Sequence, residues 1–168
     1  MKKFIKTKEM SMFIALAILC LIMTVSTSTF MTPYNIGIIA RQISFIAIVA
    51  IGQTVVLLTG GIDLSVGSIA GLSGILCSLL MTKMHVDALS IIFISLVLGI
   101  ILGCVNGILI GRLKLNAFIV TLAMGEIYGG LILVITRGYP ILDLPESFAF
   151  LGQGMIGLVP VPVIFMLV

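Results

Sequence analysis

The stretch "LLTGGIDLSVGS", Leu57 to Ser68, decides how the chain folds. An apolar run stops at two glycines, admits a single aspartate, and resumes in small and apolar residues. Gly60 and Gly61 accept backbone angles that other residues resist, so they end one helix. Asp63 or Ser65 then stands where the next helix needs its N-cap. A carboxylate there accepts hydrogen bonds from orphan N–H groups and meets the positive end of the helix dipole. The stretch reads as a tight hairpin between two apolar helices.

Outward from the hairpin, the runs on both sides have membrane length. A span needs about 20 predominantly apolar residues. Five runs qualify: Ser11–Phe30, Ile36–Leu58, Leu64–Thr82, Ala88–Ile110 and Ala117–Ile135. A sixth begins at Val159 and reaches only Val168. Composition agrees. The 168 residues are 61% hydrophobic and 9% charged, against roughly 25% charged in a soluble domain. Such a chain cannot wet a globular surface. The expected fold is an all-α, polytopic transmembrane bundle with about five full spans and a truncated sixth. Residues 1–10 form a basic terminus and 11–168 the transmembrane domain.

The net charge of +3 sits mostly in "MKKFIKTK", which holds Lys2, Lys3, Lys6 and Lys8. The run after it is too long for the core of a secretory signal, about 7–15 residues, so it reads as a retained span. Lysine and arginine in short loops face the cytoplasm. That places the amino terminus, the Asp63 hairpin and "RLKLN", with Arg112 and Lys114, inside. "KMHVD" and the Gly138–Leu158 stretch fall outside. The latter is rich in glycine and proline yet apolar throughout, which suits packing on the membrane surface or against a partner.

Helices in lipid pack closely where small residues share a face. Gly99, Gly103, Gly107 and Gly111 recur at a four-residue spacing; Gly67 and Gly71, and Gly125 and Gly129, repeat the device. Polar groups inside spans are few, and a charge there is expensive. Arg41 is near enough to the start of its span to snorkel outward. Gln53 and Asn106 suit bonds across helices. Glu126 lies mid-span, where it faces protein or a water-filled path, or is neutral. Asp63, Asn106 and Glu126 are the candidate pathway residues. Cys20, Cys77 and Cys104 lie in apolar runs without metal spacing, and His85 sits in a polar loop, so neither a metal nor another cofactor is expected. There is no G-x-x-x-x-G-K-[ST] run, so no nucleotide site is expected. Nucleic acid is not an expected partner.

"GQTVVLLTGGIDLSVGSIAGLSG", "NAFIVTLAMGEIYGGLILVITRGYPI" and "LPESFAFLGQG" followed by "VPVPVIFMLV" resemble the permease subunits of bacterial ABC importers for ribose and related sugars. The resemblance covers most of the chain after Thr32. It implies a multi-pass protein of the bacterial inner membrane that is not itself an enzyme. Its implied partners are a second permease copy or paralogue, a cytoplasmic ABC ATPase, an extracytoplasmic sugar-binding protein and membrane lipid. Family members are longer, and the loop that docks on the ATPase lies in their second half. The chain therefore reads as an amino-terminal half, and alone it is expected not to import sugar. Two rival readings are a non-transporting fragment and an intramembrane hydrolase. The second needs two carboxylates at one site, and Asp63 has no second aspartate in a span.

Overall fold

The structure, a computed structural model, describes residues 8–167. The basic terminus at Lys2, Lys3 and Lys6 lies outside the described residues. Seven helices follow in order: α1 (Lys8–Ser26), α2 (Pro33–Leu58), α3 (Val66–Met84), α4 (Ala88–Gly111), α5 (Ala117–Thr136), α6 (Glu146–Gln153) and α7 (Val161–Leu167). Helices α2 to α5 are long and apolar enough to cross a membrane. The apolar part of α1 is shorter, Met10–Ser26. At 1.5 Å per residue it covers about 26 Å, against a hydrocarbon core of about 30 Å. The first of the five expected full spans is thus the marginal one.

Helix α2 starts earlier than the apolar run suggests. Thr32 caps it, its hydroxyl accepting from the Asn35 N–H at 3.3 Å, and Pro33 occupies the first turn. Proline lacks the N–H that a first turn leaves unpaired anyway, and its fixed φ suits the position. At the other end, Gly60 takes φ +80°. Its N–H reaches the Leu57 carbonyl while the Gly61 N–H reaches Val56, the paired bonds of a Schellman cap. Asp87 caps α4 and Asn116 caps α5, each accepting backbone N–H groups of the first turn.

Helix α3 packs between α4 and α5, and α2 packs against α7. The apolar core lies at the end where α3 passes into α4: Cys77, Met81 and Ile91 are buried there. Leu144 and Phe148 pack onto them, so the long connection after α5 is a lid on this core. The stretch through α6 supplies these contacts. A two-stranded antiparallel ribbon (β1, Met155–Ile156; β2, Val159–Pro160) follows it. Then comes α7, inside the expected sixth run, which packs against α2.

The glycines divide into two groups. A Cβ on Gly125 would meet the Leu64 carbonyl and Ser65 Cα at 3.6 Å, and one on Gly71 would meet Ile132 at 3.0 Å. At Gly67, Gly99, Gly103, Gly107, Gly111 and Gly129 it would meet nothing within 4 Å. Helix α4 turns Ile91 and Asn106 inward instead. The expected glycine groove of α4 is therefore unfilled within the described residues.

Candidate functional site

Ser65 is fully buried, and a polar cluster forms around it. The Ser65 hydroxyl donates to Asp63 Oδ1 at 2.6 Å, and the Ser65 N–H donates to the same oxygen at 2.8 Å. From α4, Asn106 Nδ2 donates to Ser65 Oγ at 2.7 Å. From α2, Gln53 Nε2 donates to the Asp63 carbonyl at 2.7 Å. From α5, the Thr121 hydroxyl lies 2.8 Å from the Ala117 carbonyl and 3.2 Å from that of Ile62. Three helices thus hold one short loop, by its backbone at Ile62 and Asp63 and by the Ser65 hydroxyl.

The depth of the loop follows from the helices that hold it. Gln53 lies five residues before the end of α2, Asn106 five before the end of α4, and Thr121 five after Asn116. At 1.5 Å per residue, the loop dips about 7 Å below the ends of its neighbours. Helix α3 begins at that depth, with Ser65 as its N-cap. Asp63 does not cap α3 in the expected manner. It holds the N-cap residue itself, because Ser65 stands between the carboxylate and the first helical turn. The carboxylate still lies at the positive end of the α3 dipole.

A cavity of about 210 Å³ adjoins the cluster, with Asp63, Gly103, Asn106, Gly107 and Thr121 on its wall. Asn106 is 4% exposed, and its Oδ1 has no hydrogen-bond partner among the described residues. An unpartnered buried acceptor is costly, about 1–3 kcal/mol. It marks a place where a donor is wanted, or where the conformation is one of several.

The structure brings Asp63 and Asn106 together through Ser65 and leaves Glu126 apart. Glu126 is exposed on α5, next to exposed Ile127. The buried face of the same helix carries Thr121, Gly125 and Tyr128. Tyr128 donates to the Leu102 carbonyl at 3.0 Å, which clamps α5 to α4. The sequence showed Ser65 as a possible helix cap but not as the hub, and gave no bond for Thr121 or Tyr128. Thr121 and Tyr128 fall at the spacing of the buried face of α5, and that signal was present. Among the described residues no group of His, Cys, Asp and Glu side chains is placed to hold a metal.

These features define a multi-pass helical membrane protein with a polar hairpin sunk in its bundle. The sequence pattern described as "Branched-chain amino acid transport system / permease component" matches residues 35–167, and the chain belongs to that family. The chain is 38% identical to the ribose import permease protein RbsC of Bacillus subtilis, over 95% of this chain and 50% of that protein. It is 37% identical to the ribose import permease protein RbsC of Haemophilus influenzae, over 92% and 49%. To the L-arabinose ABC transporter permease protein AraH of Azospirillum brasilense it is 37% identical, over 84% and 42%. The chain thus spans about half the length of the curated relatives it matches. No solved structure matches.

Proposed function

We propose that the chain is a permease subunit of an ATP-driven importer of a monosaccharide, with ribose the first candidate. The observation that carries this reading is its relatives: the three above, named for ribose and arabinose, align with 84–95% of the chain. A D-allose transport system permease protein aligns as well. On this reading the protein lies in the bacterial inner membrane and performs no chemistry of its own. A cytoplasmic ATPase supplies the energy, an extracytoplasmic binding protein delivers the sugar, and a second permease copy or paralogue completes the channel.

Asp63 and Asn106 are the proposed pathway residues. The orphan Asn106 oxygen beside the cavity supports the assignment, since a sugar hydroxyl is a hydrogen-bond donor of the kind it lacks. Asp63 acts by shaping the hairpin. Glu126 takes a different part. A mid-span carboxylate is tolerated against protein or water and not against lipid, so its exposed face suits the second permease copy. The lysine-rich amino terminus and the hairpin are cytoplasmic. Reporter fusions after Lys114 and after Pro145 should then give inside and outside signals respectively, and the reverse pair overturns the orientation.

The transport reading is tested by a chimera. The matching half of the Bacillus subtilis ribose permease is replaced by this chain in cells that keep their other ribose-import components. Ribose uptake is expected to return, and to fall at least tenfold with Asn106→Leu. A chimera that reaches the membrane and takes up leucine in place of ribose would overturn the sugar assignment.

A further inference from the structure

Arg41 lies eight residues into α2, about 12 Å along the helix axis. The 26-residue helix is about 39 Å long and overhangs a hydrocarbon core of about 30 Å by a few ångströms at each end. The Arg41 Cα therefore lies below the hydrocarbon edge, and its guanidinium needs either water or an anion. It borders a cleft of about 320 Å³ shared with Tyr34, Gly37 and Gln153, and no carboxylate is among the lining residues. Each polar side chain on offer can donate, a guanidinium, a phenol hydroxyl and a primary amide, and the charged one only donates. Guanidinium groups pair with phosphate through two parallel N–H···O bonds.

A second cleft, about 330 Å³, adjoins the first. The two share Tyr34, Gly37 and Met155. Beyond those residues its wall is apolar: Pro33, Ile36, Ala40, Leu158 and Pro160. A charged, donor-rich cleft thus continues into a greasy one along the side of α2. A free anion fills only the first, and an apolar molecule only the second. We infer that the two clefts form one phospholipid site, with the phosphodiester on Arg41 and an acyl chain along Ile36, Ala40 and Pro160. This inference does not depend on which solute the protein carries. The lipid would tie the ribbon after α6 to the first half of α2, because Met155 and Leu158 come from one and Ile36 and Arg41 from the other.

Native mass spectrometry of the detergent-solubilised chain tests the site. The probes are phosphatidylglycerol, diacylglycerol with the same acyl chains, and inorganic phosphate. Phosphatidylglycerol should be retained about fivefold better than diacylglycerol, and Arg41→Gln should remove that advantage, since one basic side chain at a membrane surface gives about that factor. Arg112→Gln, at the far end of the bundle, should change nothing. Should Arg41→Gln fail to accumulate, Gly37→Leu provides the second arm. Its side chain fills the wall common to both clefts, where a Cβ already lies 3.5 Å from Met155, and retention should fall with Arg41 intact. Equal retention of diacylglycerol would mean that the greasy cleft acts alone. Displacement of the lipid by millimolar phosphate would mean a free-anion site. Either result overturns the inference, as does full retention in both variants.

Discussion

The two ends of the α3 helix are held in opposite ways. At its carboxyl end Cys77 and Met81 pack with Ile91 under a lid of Leu144 and Phe148, and the contacts are apolar. At its amino end Ser65, Asp63, Asn106, Gln53 and Thr121 are joined by directed hydrogen bonds. Between helices in lipid, apolar packing gains dispersion but little hydrophobic drive, because acyl chains are as apolar as leucine. The apolar end therefore tolerates sliding and repacking. The polar end has one register, and moving it means breaking several bonds together. A bundle that must both hold together and rearrange would place its discrete step at the second end.

The largest expected effect sharpens that contrast. Asp63→Ala leaves two buried Ser65 donors without their shared acceptor and should destabilise the folded chain by about 3 kcal/mol. Unfolding in mixed micelles, followed by circular dichroism, measures it. A loss under 1 kcal/mol would mean that water replaces the carboxylate and that the hairpin end is not rigid.

Next comes Gly125→Leu, which pushes a branched side chain against the hairpin backbone, where a Cβ alone would already lie at 3.6 Å. Overpacking of this kind costs about 2 kcal/mol. Gly99→Leu, where an added Cβ would meet nothing within 4 Å, should leave the isolated chain nearly unchanged. Equal losses would erase the difference between the two helix faces.

Ile91→Ala, at the apolar end, should cost about 1–2 kcal/mol. That is less than in a soluble core, because lipid as the reference removes part of the transfer contribution. A loss exceeding that of Asp63→Ala would reverse the ranking of the ends.

The smallest effect lies just outside the apolar end. Hydrogen bonds from the Ser90 hydroxyl and N–H hold the Asp87 carboxyl below its usual range. A carboxylate whose folded pKa is depressed adds stability that is fully present above its unfolded value, about 3.9, and that fades as pH falls through the lower folded value. Asp87 is fully exposed, so the effect is slight. Acid titration of wild type and Asp87→Asn should give stability curves that begin to converge only as pH falls below about 4, toward the lower folded value. Curves that stay apart there would assign the difference to something other than this charge.

Much of the bundle was legible from the chain alone. Apolar runs locate α2 to α5 to within a few residues, and Gly60 with Gly61 ends α2 as their backbone freedom requires. The start of α2 was not legible from hydropathy, because Thr32, Pro33 and Asn35 form a cap of polar and turn-like residues. The facing of α4 was not legible either. The helix is apolar nearly all round, so its glycines offered a plausible packing face, yet Ile91 and Asn106 are the residues it buries. For the site, Asp63 was visible as a lone charge beside two glycines. Ser65 was visible as a possible N-cap, which it is, but not as the hub, since its partner Asn106 lies 41 residues further along. Asn106 suited a bond across helices and Glu126 needed protein, water or neutrality, and the rotation of their helices buries the first and exposes the second.

That separation along the chain has a consequence for biosynthesis. When α2 and α3 leave the ribosome, the loop between them has none of its partners from α4 or α5. Asn106 follows Ser65 by 41 residues and Thr121 follows Ile62 by 59. At about 5–20 residues per second the loop waits roughly 3–12 s for the second of them. Through that interval a carboxylate and open backbone groups must stay near water or within the insertion machinery. The loop therefore sinks to its final depth last, after α5 has been made, and the order of translation sets the order in which this site closes.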